Sequence, residues 1–544
     1  MKIKASLLLA LLLALVLVGP ASAQDEQFPL VAVPGGFQLE KVVGGLTYPT
    51  ALTWDDEGQM YVAESGGSFQ EEPPPARILR VEPGRATEVV NLTDEGVGAS
   101  VVGLTWHDGE FYFTHRAKDR TGAVSRVTPD GQVTPLFSGI LDSASEHQVN
   151  DIKVGPDGRM YVASGPAFNS AVAGEDNGPS VERTPDVHTT PCRDIVLTGL
   201  NFESSNILTP NNQSDKALTG AFVPFGTETT PGQVIQGSNK CGGAILTFDP
   251  ADPEGTLRPF ADGFRNIIGF AWDDSGEMYA AENGYDIRGS RPVGDEFEAT
   301  FRVREGAWYG YPDYSRGLES LAAPRFDVPN RLQSPIVIEG VRQPPPELIA
   351  PVIDRAASGL PAPDPSLVFG RHQLSSSPSM LDVAPDSWGN LAGQVFVAEW
   401  GDLAPSTNPL LNELPGYRVS RIEPVTGVAV PFIRNVLPGP ASMQGALGQG
   451  IERPFDVKFG PDGAMYIVDY GKAAVNFDRI KQGKYPYEFP PETGAIWKVT
   501  PTVAAAVTMP DTGGPSIVLM AALATAAALG TAVTLVWRRR SRHA

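Results

Sequence analysis

Residues 150–165 read NDIKVGPDGRMYVASG. Apolar and polar residues alternate on both sides of Gly-Pro-Asp-Gly, the pattern of a β-hairpin, and Asp157-Gly158 supplies residues that tolerate the positive φ of a tight turn. The same unit, an apolar strand, an Asp/Gly turn and a strand rich in Tyr, Val and Ala, recurs five more times. It stands at 49–66 (PTALTWDDEGQMYVAESG), 103–115 (GLTWHDGEFYFTH), 268–284 (IGFAWDDSGEMYAAENG), 379–401 (SMLDVAPDSWGNLAGQVFVAEWG) and 454–471 (PFDVKFGPDGAMYIVDYG). Six repeated hairpins at roughly 45 to 120 residues from one another predict an all-β, six-bladed β-propeller, in which small sheets stand radially around a channel. Strands at 123–127, 243–248, 416–422 and 494–499 are expected to complete blades. The intervals 166–240 and 313–371 are insertions, expected on loops at one face, where ligands are usually held.

Composition agrees with this architecture. Among 544 residues, 58 Gly and 50 Pro imply many tight turns, while a hydrophobic share of 42% is enough to bury a core, which excludes a disordered chain. The net charge is −21. Residues 24–508 alone carry 36 basic against 62 acidic side chains, so nucleic acid is excluded as a partner. Most of these acids are expected to form a solvated face.

The two ends read as targeting segments. Residues 1–23 combine Lys2 and Lys4, a Leu/Ala/Val run and Ala21-Ser22-Ala23, the pattern of a signal peptide cut before Gln24. Residues 517–537 form an uncharged apolar run long enough for a transmembrane helix, and the four arginines of the basic tail at 538–544 place that tail in the cytoplasm. Met509-Pro510-Asp511-Thr512-Gly513, ahead of the run, resembles a sorting signal cut by sortases; a plain membrane anchor is the alternative. The chain thus divides into signal peptide 1–23, N-terminal segment 24–36, propeller 37–500, linker 501–516, transmembrane helix 517–537 and tail. The body is expected to be extracellular, anchored to the cell membrane or cell wall. Cys192 and Cys241 either form a disulfide, worth on the order of 4 kcal/mol by loop entropy, or remain free thiols. Cys-x-x-Cys-His, Gly-x-Ser-x-Gly, Walker and dinucleotide fingerprints are missing from the sequence.

Over about residues 37–500 the order and spacing of several motifs resemble the glucose/sorbosone dehydrogenase family, which includes soluble aldose dehydrogenases that use pyrroloquinoline quinone (PQQ). The resemblance rests on 49–66, 147–165, Phe264-Arg265-Asn266 with Gly269, Glu282-Asn283-Gly284, Trp308 to Pro312, Gly416 to Val419 and Arg453-Pro454 with 460–463. It implies a catalytic base at His147, eight residues before Gly155-Pro156-Asp157, which accepts a sugar hydroxyl proton while hydride leaves the same carbon. The family carries an acid after the hairpin that orients this histidine; here Gly165-Pro166 stands there, with Asp151 or Glu146 as substitutes. Arg265 and Asn266 are implied to meet cofactor and substrate oxygens, since a guanidinium suits the three carboxylates of PQQ. Arg418, Arg421 and Arg453 are further cofactor contacts, although 379–421 lacks the lysine that relatives supply. Glu282, Gly284, Tyr285 and Asp295, with Glu296 beside it, correspond to the segment that holds calcium, a hard ion needing six to eight oxygens. For each of these residues a structural alternative stands: a rim histidine, a bracing arginine, a simple turn. Trp308 to Tyr314 would either stack on a sugar or pack between blades, and His372 with Ser375-Ser376-Ser377 would line the channel mouth.

Three functions are compatible with these residues. The first is a quinone-dependent sugar dehydrogenase with PQQ and calcium, the second a noncatalytic propeller binding a glycan or protein, and the third a calcium-dependent lactonase-type hydrolase. The targeting segments yield a direct test: mass spectrometry of the exported protein should find Gln24 as the first residue, and retention of Met1 would contradict the signal peptide.

Overall fold

The structure is a computed structural model that describes residues 27–67, 73–212, 214–295, 297–343, 350–482 and 484–502. The signal peptide, the MPDTG motif, the apolar run at 517–537, the basic tail and Glu296 lie outside these residues. Among the described residues no helix is long and apolar enough to cross a membrane.

Each predicted hairpin forms, and its turn is held by its own residues. In 150–165 the Asp157 carboxylate accepts the Arg159 N–H at 3.2 Å and the Tyr161 hydroxyl at 3.0 Å. Asp55 with Tyr61, Asp273 with Tyr279 and Asp462 with Tyr466 repeat this arrangement at 3.0–3.2 Å. The Asp therefore caps the turn, and only the shorter turn at Asp108-Gly109 sets both residues at positive φ, 50° and 84°. This is the pair conformation expected for all six hairpins; in four of them the carboxylate cap takes its place.

The hairpins are the two inner strands of six antiparallel sheets, each completed by two further strands. The innermost strands, Pro49–Trp54, Leu104–His107, Val149–Val154, Ile267–Trp272, Pro378–Val383 and Pro454–Phe459, contact one another in cyclic order, so the sheets close a ring and the molecule is a β-propeller. We number the blades 1–6 in this order. Phe37–Leu46 pairs with Gly494–Pro501 as the outer strand of blade 6, which ties the two ends of the ring together. Val31–Ala32 adds a fifth strand to blade 5.

Polar groups join the blades around the channel. Asp151 accepts the Phe270 N–H of blade 4 at 3.3 Å, Asp382 the Phe459 N–H of blade 6 at 2.9 Å, and Asp456 the Leu52 N–H of blade 1 at 3.1 Å. Thr53 accepts the Trp106 N–H of blade 2 at 3.0 Å. At the two other seams a glycine allows contact: a Cβ on Gly103 would stand 2.6 Å from the Asn150 carbonyl oxygen, and one on Gly269 would stand 2.5 Å from the Met380 Cα. Lys153 lies in the channel, 3.3 Å from Asp151, and donates to the carbonyls of Phe270 and Leu381. Burial works against its charge, yet the carboxylates of Asp151, Asp382 and Asp456 raise its pKa above the ordinary lysine value.

Both insertions are present, but they do not leave from one face. Residues 165–243 follow the second strand of blade 3, on the face away from the Asp/Gly turns. Residues 304–367 follow the third strand of blade 4 and start on the turn face. They cross over beside the outer strand Arg258–Asp262, to which Trp308 bridges in parallel, and meet the first insertion. There Asn201–Ser205 pairs with Ile336–Ile338, and Phe202, Phe222, Trp308, Tyr311 and Phe326 build a shared core. Cys192 and Cys241 form a disulfide.

The seam bonds generate a prediction. Asp456→Ala removes the acceptor of a buried main-chain N–H at the junction of first and last blades, a loss of about 1–3 kcal/mol. A thermal melt should show a lower midpoint; an unchanged midpoint would contradict this role.

Candidate functional site

Segments leading into or out of the inner strands of blades 3 to 6 converge on a cavity of about 230 Å³. His147 precedes the inner strand of blade 3, and Arg265-Asn266 precedes that of blade 4. Asn283-Gly284 follows the second strand of blade 4, while Ser375, Ser377, Trp400, Asp402 and Phe455 arrive from blades 5 and 6. The propeller thus brings together His147, Arg265, Asn266 and Gly284 of the predicted residues.

His147 is buried, and its Nδ1 lies 2.7 Å from the Pro166 carbonyl oxygen. A carbonyl only accepts, so Nδ1 carries the proton and Nε2 presents a lone pair. Burial and the nearby Arg265 charge hold the imidazole pKa well below the ordinary histidine value, which keeps the ring neutral. The orienting role of the missing acid thus falls to a main-chain carbonyl of the Pro that replaced it. Neither expected substitute serves. Asp151 is committed to the blade 3–4 seam. Glu146 stands 3.9 Å from Nε2, but both its oxygens are 2.7 Å from Arg288. Gly165 is required by the packing: a Cβ there would come within 2.5 Å of the His147 Cβ.

Arg265 is buried and donates through Nη2 to Asp286 Oδ2 at 3.0 Å and Asn169 Oδ1 at 3.2 Å. Its Nε is buried without a partner among the described residues. Asn266 donates to Asn283 Oδ1 at 3.3 Å and accepts from Asn150 at 3.2 Å. Glu298, which sequence reasoning missed, also lines the cavity. Burial pushes its carboxyl up to about 8, although it accepts from Gly284 N, Ser377 N and Ser376 Oγ at 2.9, 2.6 and 3.1 Å. Asp286 was missed as well; it is shared between Arg265 and Arg288, the latter at 2.9 Å.

The structure corrects the calcium assignment. Arg316 is fully buried and occupies the centre of the expected ligand set. Its Nη1 donates to both oxygens of Glu282 at 2.7 and 2.6 Å, its backbone N–H to Asp295 Oδ2 at 3.0 Å, and its Nη2 to the Tyr285 hydroxyl at 3.1 Å. The cation is therefore a guanidinium supplied by the second insertion, and these oxygens are already engaged. Among the described residues no group of three or more His, Cys, Asp or Glu side chains is arranged to hold a metal ion. Calcium does not fit here.

Arg418 and Arg453 are also placed elsewhere. Arg418 lines a separate depression on blade 5 and donates to Glu399 at 2.6 Å. Arg453 is buried against Trp400 and Tyr417, with ring centroids 4.1 and 4.8 Å from its guanidinium, and donates to the Asp402 carbonyl at 2.9 Å. Arg421 donates to Gln394 at 2.9 Å, within blade 5. Trp308, Tyr309 and Tyr311 pack in the interior, Tyr309 stacking on Phe264 at 4.1 Å. His372 is sealed between Thr300 and Glu399 at 2.8 and 2.9 Å, whereas Ser375 and Ser377 do reach the cavity.

The fit to a quinone is therefore limited to one edge. Arg265 with its unpaired Nε, Asn266 and the Nε2 side of His147 suit the oxygens of such a molecule. Its three carboxylates would find one arginine, already paired with Asp286, and a second acid, Asp402.

No protein-family model and no curated protein matches the chain. Among solved structures it is similar to the PQQ-bound form of an aldose sugar dehydrogenase from Streptomyces coelicolor, with 16% identity over 86% of this chain and 99% of that one and a TM-score of 0.45. It is similar to the holo PQQ domain of a pyranose dehydrogenase from Coprinopsis cinerea, with 14% identity over 88% and 99% and a TM-score of 0.47. The calcium structure of a Trichoderma reesei carbohydrate-active enzyme of family AA12 matches at 13% identity over 89% and 100%, with a TM-score of 0.48.

Two outcomes are expected at the Arg316 centre. Calcium or a chelator should leave the melting midpoint of the protein unchanged. Arg316→Met strands two buried carboxyls and should cost about 3–5 kcal/mol in a denaturant titration. A calcium-dependent midpoint in the unaltered protein would contradict the assignment.

Proposed function

We propose that the protein is an exported, surface-anchored oxidoreductase of the sugar dehydrogenase type, in which His147 is the base for a sugar or related alcohol. The observation that carries this reading is the His147–Pro166 hydrogen bond. It leaves Nε2 as a hydrogen-bond acceptor in a cavity walled by Asn, Ser and Thr side chains, the partners that neutral hydroxyl groups require.

The chemistry follows from these groups. A substrate hydroxyl donates to Nε2, and the proton moves to that nitrogen as the carbon gives up its hydrogen with two electrons. When bound along Arg265 and Asn266, a quinone supplies the acceptor for those electrons. Burial and the Arg265 charge oppose the nascent imidazolium, and the Pro166 carbonyl and the Asp286 carboxylate offset part of that cost. Arg265, anchored by Asp286 and Asn169, holds the ligand oxygens in register, and Trp400 with Phe455 excludes water from one wall. No step is assigned to calcium.

A second reading has support in the same cavity. Asp286 and Asp402 oppose a tricarboxylate, which favours a propeller that binds a glycan without oxidising it. The two are separated by incubating the full-length protein with PQQ and following dye reduction over a panel of aldoses. Turnover is expected, and His147→Ala should lower it by about 10²–10⁴-fold. Sugar binding without turnover would leave the binding module. Because the His147 pKa lies well below the usual value, the base stays deprotonated as pH falls, and kcat/KM should remain level from pH 7.5 to 6. An acid limb centred near 6.5 would contradict the buried neutral base.

A further inference from the structure

Three arginines gather beside the His147 region without an acid to balance them. Arg116 ends a strand of blade 2 and is 3% exposed; its Nε donates to the Ser143 carbonyl at 2.6 Å and its Nη2 to the Ser145 carbonyl at 2.9 Å. Arg120 lies in the turn that follows, half-buried, with its Nε buried and unpartnered among the described residues. Arg183 ends the short helix Gly178–Arg183, donates to the Tyr485 hydroxyl at 3.2 Å and lies 5.7 Å from the centroid of that ring.

Among the described residues none of the three has a carboxylate within ion-pair distance. Only Arg116 of the three is buried; Arg265, Arg291 and Arg316, also buried, are each paired with a carboxylate at 3.0 Å or less, and Arg453, which has none among the described residues, is covered by the Trp400 and Tyr417 rings. Burial, with the charges of Arg120 and Arg183, pulls the Arg116 pKa down to about 9, and burial and Arg183 lower that of Arg120. Arg116, buried on main-chain carbonyls alone, with the Arg120 and Arg183 charges beside it, favours an anion brought from outside.

The cluster adjoins a second cavity. Tyr485, which Arg183 contacts, and Ser180, 3.0 Å from the Tyr485 hydroxyl, line a space of about 360 Å³. The cations Arg288 and Lys484 and the acids Glu146, Glu175 and Asp176 line it too, with His147 at its far side, so the anionic group must stay at the arginines and only the neutral ring enters. Tyr485 and Tyr487 offer aromatic surface for a sugar ring along this path.

We propose that Arg116, Arg120 and Arg183 form an oxyanion subsite for an acidic carbohydrate, a carboxylate or phosphate ester whose ring extends along Tyr485 toward His147. The placement of the ring rests on the proposed sugar specificity; the anion site does not. The test is calorimetric binding to the full-length protein without quinone, so that a failure of oxidation does not register. The probes are glucuronate, glucose 6-phosphate, inorganic phosphate and glucose. At least one sugar anion should bind ten times or more tighter than both glucose and inorganic phosphate, and raised salt should weaken it. A preference for glucuronate identifies a carboxylate, one for glucose 6-phosphate a phosphate ester. Arg120→Ala and Arg183→Ala, both at partly exposed positions, should each weaken anion binding by about tenfold, the worth of one charge-assisted hydrogen bond, and leave glucose binding unchanged. Equal affinity for glucose and its anions, inorganic phosphate binding as well as the sugar esters, or anion affinity unchanged in the double variant would overturn the proposal. Should a variant not fold, the comparison of probes on the unaltered protein decides.

Discussion

Around the channel, side chains of one innermost strand accept the main-chain N–H groups of the next. Asp151, Asp382, Asp456 and Thr53 do so at four seams, and the remaining two are closed by glycines against their neighbours. A buried, unpaired N–H is costly, so each bond fixes the angle between consecutive blades as well as their contact. The site depends on that angle. His147 sits four residues before Asp151, and Arg265 five residues before Phe270, whose N–H Asp151 accepts. The bond that joins blades 3 and 4 therefore sets the separation of His147 and Arg265. Lys153 stands among buried carboxylates of three blades, and its charge offsets part of the burial that raises the carboxyl pKa values of Asp382 and Asp456.

Two partnerships define the character of the cavity. At His147 the orienting partner is the Pro166 carbonyl. A carbonyl fixes the tautomer but carries no charge to stabilise an imidazolium, and the histidine is accordingly driven toward its neutral form. At Glu282 and Asp295 the cation is the Arg316 guanidinium. An arginine is tethered and planar, and it satisfies these acids without an open coordination position, so it organises the loop yet cannot act as a Lewis acid on a ligand.

The hairpins were legible in the sequence because everything that makes them is local. In four of the six hairpins the Asp that caps the turn and the Tyr that bonds to it stand four to six residues apart, so the motif is visible as a string. His147 and Arg265-Asn266 were legible for a related reason: they abut the inner strands and keep a constant distance from the repeat. The rest was not legible because its partners come from afar. Arg288 meets Glu146 and Asp176 across 142 and 112 residues, and Arg316 reaches Glu282 from an insertion that starts on the opposite face. Pro166 gave no signal, since what it contributes is a main-chain oxygen that any residue possesses. Arg418 and Arg453 matched by position in the string, but their directions are set by Glu399, Trp400 and Tyr417. The anchoring segments are read from composition alone.

The protonation state of His147 bears most directly on whether this cavity contains a working base. The chain has six histidines, few enough for selective ¹⁵N labelling and assignment by a His147→Gln comparison. At pH 6 the His147 resonances should be those of a neutral ring protonated at Nδ1, with Nε2 unprotonated. A ring protonated at Nε2 alone, or an imidazolium at that pH, would contradict the base that the Pro166 carbonyl creates.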